Sequence, residues 1–214
     1  MYQAPRGFSI LPPVIKNLII LNGIVYLFFA FSTIPVIQNW MMNYLALQYP
    51  SFFGGANDFY PHQLITYMFL HDPSSLFHLI FNMFALWMFG AAIENIMGSK
   101  RFLSLYLVSG IGAGIIHLII TYAQLSSPVP VVGASGAIYG ILFAYAYYFP
   151  NQPIYLYFFI PVKAKYLMAG LILIDLFSGL TGGGDVAHFA HLGGVLSGWL
   201  FLNVYRLKRI NRRF

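Results

Sequence analysis

The sequence contains no cysteine, and only 7% of its 214 residues carry a charged side chain. The absence of cysteine excludes disulfides, thiolate metal sites and cysteine catalysis. The scarcity of charge, with 59% hydrophobic residues and a mean hydropathy of +0.74, excludes a surface that faces water. We therefore expect an integral membrane protein that is surrounded by a lipid bilayer.

Acidic residues are few as well, five against eleven Lys and Arg, which gives a net charge of +6. The basic residues form no patch with interleaved aromatic residues, so nucleic acid is not expected as a partner. The first residues match neither a cleavable signal peptide nor a transit peptide. We expect the first span to be retained, and we favour a prokaryotic plasma membrane as the location.

Six apolar stretches approach the length of about 20 helical residues that a bilayer core requires. They cover residues 14–36, 76–97, 102–122, 135–149, 166–180 and 186–207. Turn-forming residues separate them, and the sequence shows no internal repeat. The sequence therefore predicts one domain over residues 1–214, an all-α membrane protein with a bundle of six transmembrane helices.

The charges predict the orientation of this bundle. With six spans, every Lys and Arg falls on one side of the membrane, whereas Asp58, Asp72 and Asp185 fall on the other. Basic residues in short loops mark the cytoplasmic side, so both termini are expected there. The loop over residues 39–75 carries many aromatic residues, and we expect it to lie in the outer membrane interface.

Ser135 opens the fourth predicted span within Gly133-Ala134-Ser135-Gly136. Small residues in membrane helices often serve packing alone, which is the alternative interpretation. At 1.5 Å per residue, however, this span is about 22 Å long and too short to cross the core, so Ser135 should lie at the floor of a hydrated cavity. Unpaired N–H groups at a helix start also suit a developing oxyanion.

His191 lies in the sixth predicted span on one stripe with Gly194 and Gly198. A lone helical histidine is usually a packed, hydrogen-bonded residue. Glycines on its face, however, allow a neighbouring helix to approach, and a base must come within about 3 Å of a serine hydroxyl. His191 is therefore the candidate base, and His188, one turn outward, has a supporting or merely polar role.

His78 and Asn82 lie four residues apart on one face of the second predicted span. Asparagine is a poor transition-metal ligand and no carboxylate joins the pair, so we expect no metal and no cofactor. Both side chains can instead donate hydrogen bonds to an oxyanion. Spans two, four and six all run inward from the outer side, which predicts that these residues share one depth with the serine and the candidate base.

Three motifs together resemble those of the rhomboid family of intramembrane proteases, in the family's order. They are His78-x-x-x-Asn82, Gly133-x-Ser135-Gly136 and Ala190-His191-x-x-Gly194-x-x-x-Gly198. The resemblance implies a catalytic pair of Ser135 and His191, an oxyanion site of Asn82, His78 and the Ser135 N–H, and support of the His191 ring by Tyr139. It further implies a structural role for Gly90-x-x-x-Glu94, and a gate and cap formed by the fifth span and residues 181–185.

The chain departs from the family at His62-Gln63, where many members have Trp-Arg. This difference bears on how the outer loop is anchored. The family's pair lacks a carboxylate. Asp175 could be read as a third member, but we expect it to be a structural partner of His188 or of a buried hydroxyl.

The predicted function is that of an intramembrane serine endopeptidase, which cleaves transmembrane segments of membrane proteins near the outer leaflet. The alternative is a non-catalytic rhomboid-like protein that binds membrane clients, which would have no need of both Ser135 and His191. A channel or transporter would predict inverted repeats or paired broken helices, and the sequence has neither. It carries no indication of oligomeric state.

Overall fold

A computed structural model describes residues 8–32, 34–50, 58–124, 130–156, 159–181 and 187–211. The helices are α1 (Pro13–Phe31), α2 (Pro35–Leu45), α3 (Gln63–Thr66), α4 (Leu76–Met97), α5 (Ser99–Gln124), α6 (Ser135–Tyr148), α7 (Ala164–Thr181) and α8 (Ala187–Asn211). A 3-10 turn over Tyr67–Phe69 follows α3. Two short strands, β1 (Pro153–Leu156) and β2 (Ile160–Lys163), lie between α6 and α7.

Four helices, α1, α4, α5 and α7, are long and apolar enough to cross a membrane. Helix α6 has 14 residues and is about 21 Å long, which is shorter than a bilayer core requires. Helix α8 has 25 residues and ends in a basic segment. The chain is therefore an integral membrane protein with a mainly helical fold, as its composition predicts.

The first apolar stretch differs from the predicted span over residues 14–36. Helix α1 ends at Phe31, and a second helix begins at Pro35. Proline is favoured at the first position of a helix, and it disfavours helical backbone at the preceding residue. Ile34 is accordingly extended, with φ −97° and ψ 107°. Pro35 therefore divides the stretch, and α2 occupies part of the predicted outer loop.

The connection between α6 and α7 contains an antiparallel hairpin that the sequence analysis did not predict. Pro153 pairs with Lys163, and Leu156 pairs with Ile160. Its strands are rich in Ile, Val and Tyr, which favour extended backbone. Proline is tolerated because both strands of a two-stranded sheet are edges.

Helix α8 packs against α5, α6 and α7, and glycines bring it close to α6. A Cβ atom built on Gly194 would collide with the carbonyl oxygen of Gly136, and one built on Gly198 would lie 2.9 Å from the Cα of Gly140. Small residues at such contacts allow helix backbones to meet directly. The α6–α8 contact therefore has no room for side chains at these two levels.

The start of α1 is fixed by Glu94, a buried carboxylate near the end of α4. Its two oxygens accept hydrogen bonds from the backbone N–H groups of Val14 and Ile15, each at 3.0 Å, and Oε1 accepts a third from the Ser99 hydroxyl at 2.7 Å. These N–H groups would otherwise lack partners in the first turn of α1. Gly90 leaves the space for this contact, because a Cβ there would lie 2.6 Å from Ile15 Cδ1.

The α6–α8 contact predicts that Gly194→Ala destabilises the protein, although alanine is the better helix former. The added methyl group would meet the Gly136 carbonyl, and such overpacking costs about 1–3 kcal/mol. The measurement is the midpoint of thermal unfolding in detergent. Gly170→Ala is the matched control, because a Cβ on Gly170 has no atom within 4 Å. Equal midpoints for the two variants would contradict the close contact.

Candidate active site

Ser135 is the first residue of the short helix α6, and the segment before it is held by the outer loop. Leu47 and Val131 exchange two backbone hydrogen bonds of 3.0 Å. The N–H of Gly133 donates to the carbonyl oxygen of Tyr67, also at 3.0 Å. Gly133 has a φ of +125°, which lies in the region that glycine alone enters readily. The chain thus turns sharply at Gly133 and begins a helix two residues later.

His191 meets Ser135 across the α6–α8 contact. Its Nε2 lies 2.9 Å from the Ser135 Oγ, although the two residues are 56 positions apart in the sequence. Tyr139, one turn after Ser135 on α6, stacks on the imidazole with the ring centroids 4.1 Å apart and the planes 9° apart. The serine hydroxyl and the stacked ring together fix both the position and the plane of the imidazole.

The glycine that follows the serine serves packing against a third helix. A Cβ on Gly136 would lie 2.6 Å from the Cβ of Ala113 on α5. Because its carbonyl also faces Gly194, Gly136 is in contact with two neighbouring helices at once. The three helices α5, α6 and α8 therefore converge immediately below Ser135.

His78 faces the same place from the first turn of α4. Its Nδ1 accepts a long hydrogen bond of 3.4 Å from the Asp72 N–H, and in that tautomer the Nε2 carries the proton. The position that a Cβ of Gly133 would take lies 3.0 Å from His78 Nε2 and 3.9 Å from Ser135 Oγ. The space above Gly133 thus lies between a ring nitrogen and the serine hydroxyl.

Asn82 is buried on α4, one turn below His78. Its Nδ2 donates to the His78 carbonyl oxygen at 2.8 Å, which uses one of the two amide N–H groups. The hydrogen bonds of the described residues thus tie Asn82 to its own helix, and none of them joins it to Ser135. Its second N–H group is left for another acceptor.

Asp175, on α7, contacts two histidines of α8. Its Oδ1 lies 2.7 Å from His188 Nδ1 and 3.2 Å from His191 Nδ1, and its side chain is only 5% exposed. The contact with His188 is one of the partnerships expected from the sequence, and the contact with His191 is additional. The signal was available, since Asp175 is the one acidic residue within the fifth predicted span.

These three side chains are also the one group among the described residues that could hold a metal ion. The candidate ligand atoms of Asp175, His188 and His191 lie within 4.8 Å of one another. Two imidazoles and a carboxylate form a donor set that zinc uses in proteins. This group is separate from His78 and Asn82, the pair at which a metal was weighed from the sequence.

His71 is a further buried residue beside the site that the sequence analysis did not single out. Its ring packs edge-on against His78 with the centroids 5.1 Å apart. Burial, with a smaller contribution from His78, lowers the pKa of His71 to about 4. The ring is therefore neutral near pH 7, and it brings no positive charge next to His78.

The outer loop is anchored by the residues that depart from the family pattern. Gln63 is fully buried, donates to the Asn43 carbonyl at 2.8 Å and accepts from the Tyr60 N–H at 3.1 Å. His62 Nε2 lies 2.7 Å from the Tyr44 carbonyl oxygen. The side-chain amide of Gln63 thus links the start of α3 to Asn43 and to Tyr60. The expected cap over residues 181–185 lies, apart from Thr181, outside the described residues.

Comparisons with known proteins agree with these motifs. A family model for the rhomboid domain matches residues 58–208. The chain is 33% identical over 170 residues to a mitochondrial rhomboid-like protein of Arabidopsis thaliana, covering 73% of this chain and 49% of that protein. It is 28% identical over 224 aligned residues to the mitochondrial rhomboid protein 1 of Saccharomyces cerevisiae, covering 99% and 62%.

A bacterial relative is the rhomboid protease GluP of Bacillus subtilis, which is 34% identical over 138 residues, covering 64% of this chain and 24% of that protein. The chain thus spans between about a quarter and about three fifths of the length of these relatives. The family model, in contrast, matches most of the chain. The chain belongs to the rhomboid family.

Proposed function

We propose that this protein is a serine endopeptidase that cleaves the transmembrane segments of other membrane proteins. The observation that supports the proposal most directly is the 2.9 Å contact between Ser135 Oγ and His191 Nε2, within a chain of a family that includes named proteases. A non-catalytic protein that binds membrane clients needs no such contact. The contact therefore supports the proposal over the alternative.

In the proposed reaction, Ser135 attacks a peptide carbonyl while His191 Nε2 takes the hydroxyl proton. The base then returns the proton to the leaving amine, and water releases the acyl-enzyme. The stack with Tyr139 supports this role, because a ring held in one plane keeps Nε2 directed at the hydroxyl. A positioned nucleophile and base need no reorganisation before attack.

The tetrahedral intermediate carries a negative oxygen, for which we propose three donors: the Ser135 N–H, His78 Nε2–H and the second amide N–H of Asn82. The first belongs to the opening turn of α6, where backbone N–H groups have no partner within their own helix. The position of His78 Nε2 beside the Gly133 backbone supports the second. The amide of Asn82 already uses its other N–H on its own helix, which limits its rotation.

The proposed substrate is a membrane-spanning helix that unwinds near the outer leaflet, since an intact helix keeps its carbonyls hydrogen-bonded. The narrow space above Gly133 favours small residues at the cleaved bond. Helix α7 buries only Ala164, Met168 and Asp175. Its few buried residues support a role for α7 as the gate through which the substrate enters.

We further propose that the bundle has six spans, formed by α1, α4, α5, α6, α7 and α8, and that the residues around α2 and α3 lie in the outer interface. Exposed aromatic rings there, including Trp40 stacked on Tyr44, support this placement. In a prokaryotic plasma membrane, our proposed location, the basic side and both termini face the cytoplasm. Two of the relatives are named as mitochondrial proteins, so a mitochondrial membrane is the alternative location.

The first test is Ser135→Ala. Without the nucleophile, cleavage of a model single-span substrate in proteoliposomes should fall by at least about a thousandfold. A fluorophosphonate probe should label the unchanged protein and leave the variant unlabelled. Ser104→Ala removes an exposed hydroxyl on α5 and is the matched control. Cleavage that persists in Ser135→Ala would refute the assignment of the nucleophile.

The oxyanion donors predict a distinct result for Asn82→Ala. Loss of one donor should lower kcat about 10²- to 10³-fold and leave KM nearly unchanged, because the hydrogen bond forms only in the transition state. Steady-state cleavage kinetics measure both constants. A rise in KM at constant kcat would instead assign Asn82 to substrate binding.

The absence of cysteine makes the six-span topology directly testable with single cysteines. Asp58→Cys should react with a membrane-impermeant maleimide in intact cells, whereas Lys163→Cys should react only after the membrane is opened. The reason is that an odd number of proposed spans, three, separates the two positions. Labelling of both residues from the same side would require a different number of spans.

A further inference from the structure

We propose that Asp175 is a positioning residue for His191, so that the reacting pair becomes a triad of Ser135, His191 and Asp175. The inference rests on the proposed function. In this proposal, a buried carboxylate on α7 selects the tautomer of the base. The motifs of the family do not include this carboxylate.

The geometry uses both nitrogens of the His191 ring. Nε2 lies 2.9 Å from Ser135 Oγ and Nδ1 lies 3.2 Å from Asp175 Oδ1. A neutral imidazole carries one proton, and a base that accepts from the serine must carry it on Nδ1. A carboxylate accepts hydrogen bonds and donates none. Oδ1 therefore selects the tautomer in which Nε2 is free to take the serine proton.

The same carboxylate compensates the charge that forms during the reaction. When His191 takes the proton it becomes an imidazolium within a membrane-spanning helix, where an unpaired charge is costly. Asp175 is almost entirely buried, and its oxygen faces that ring directly. The negative charge is therefore in place before the positive charge forms, which favours proton transfer.

His188 explains why Asp175 stays in this position. Its Nδ1 lies 2.7 Å from the same Oδ1, and it is located one turn before His191 on α8. One carboxylate oxygen can accept two hydrogen bonds. The shorter contact with His188 thus anchors the carboxylate, while the contact with His191 directs the ring that faces Ser135.

A metal ion bound to the three side chains is the competing interpretation of this cluster. An ion on Nδ1 of His191 would leave the ring proton on Nε2, and His191 could not then accept the serine proton. A metal at this site would therefore inhibit the proposed reaction. The hydrogen-bonded triad is the arrangement that is compatible with a base.

The kinetic test compares Asp175→Asn with the unchanged protein on a single-span substrate in proteoliposomes. The amide keeps the shape but loses the charge, and it can present an N–H to Nδ1, which stabilises the wrong tautomer. We expect kcat to fall at least about tenfold, with KM within about twofold, and fluorophosphonate labelling of Ser135 to slow in parallel. Asp58→Asn, in the exposed outer loop, is the matched control. An unchanged kcat in Asp175→Asn overturns the inference.

A second measurement does not depend on the folding of that variant. In protein labelled with ¹⁵N-histidine, and assigned by comparison with His191→Gln, the His191 resonances should report a protonated Nδ1 and an unprotonated Nε2. The opposite tautomer overturns the inference. Both experiments are run with and without a chelator, and activation by the chelator would assign the cluster to a metal instead.

The two proposals fail in different ways. If Ser135→Ala retains cleavage, the proposed function is wrong. If Ser135→Ala loses cleavage while Asp175→Asn keeps its kcat, only the role of Asp175 is wrong.

Discussion

The direct contact between the backbones of α6 and α8 is the constraint on which the candidate site depends. Gly194 faces the Gly136 carbonyl, and Gly198 faces Gly140 one turn further along. Ser135 directly precedes the first of these contacts on α6. The 2.9 Å distance from its hydroxyl to the imidazole of α8 is therefore a consequence of helix packing, since a short side chain can reach a partner only where the helices have no intervening side chains.

Polar backbone groups are satisfied by protein groups at both ends of the molecule, as a chain surrounded by lipid requires. At the site end, Gly133 donates to the outer loop, which the fully buried Gln63 holds together. At the other end, the Glu94 carboxylate accepts from the first turn of α1. The partner of the Gly133 N–H is the backbone carbonyl of Tyr67, whereas the first turn of α1 is satisfied by a side-chain carboxylate.

The sequence was sufficient to predict the apolar character of the chain and the helices that carry the candidate residues, because bilayer length and the glycine stripe through Gly194 leave a strong local signal. It failed where tertiary contacts decide. Pro35 divides a continuous apolar stretch, and the hairpin from Pro153 to Lys163 forms through cross-strand pairing. The contact of Asp175 with His191 joins two helices, so its distance depends on their packing, and the sequence offers only the signal of a single acidic residue within the fifth predicted span.

The buried residues of α7 link its position to the chemistry of α8. Asp175 is the only polar residue among the three that α7 buries, and its hydrogen bonds with two histidines join the helices. If α7 moves aside to admit a substrate, Oδ1 moves with it, and Nδ1 of His191 loses its acceptor. Under the proposed mechanism, the tautomer of the base is therefore selected only when α7 has returned to its place. A substrate positioned before that return would meet a serine whose base lacks the selected tautomer.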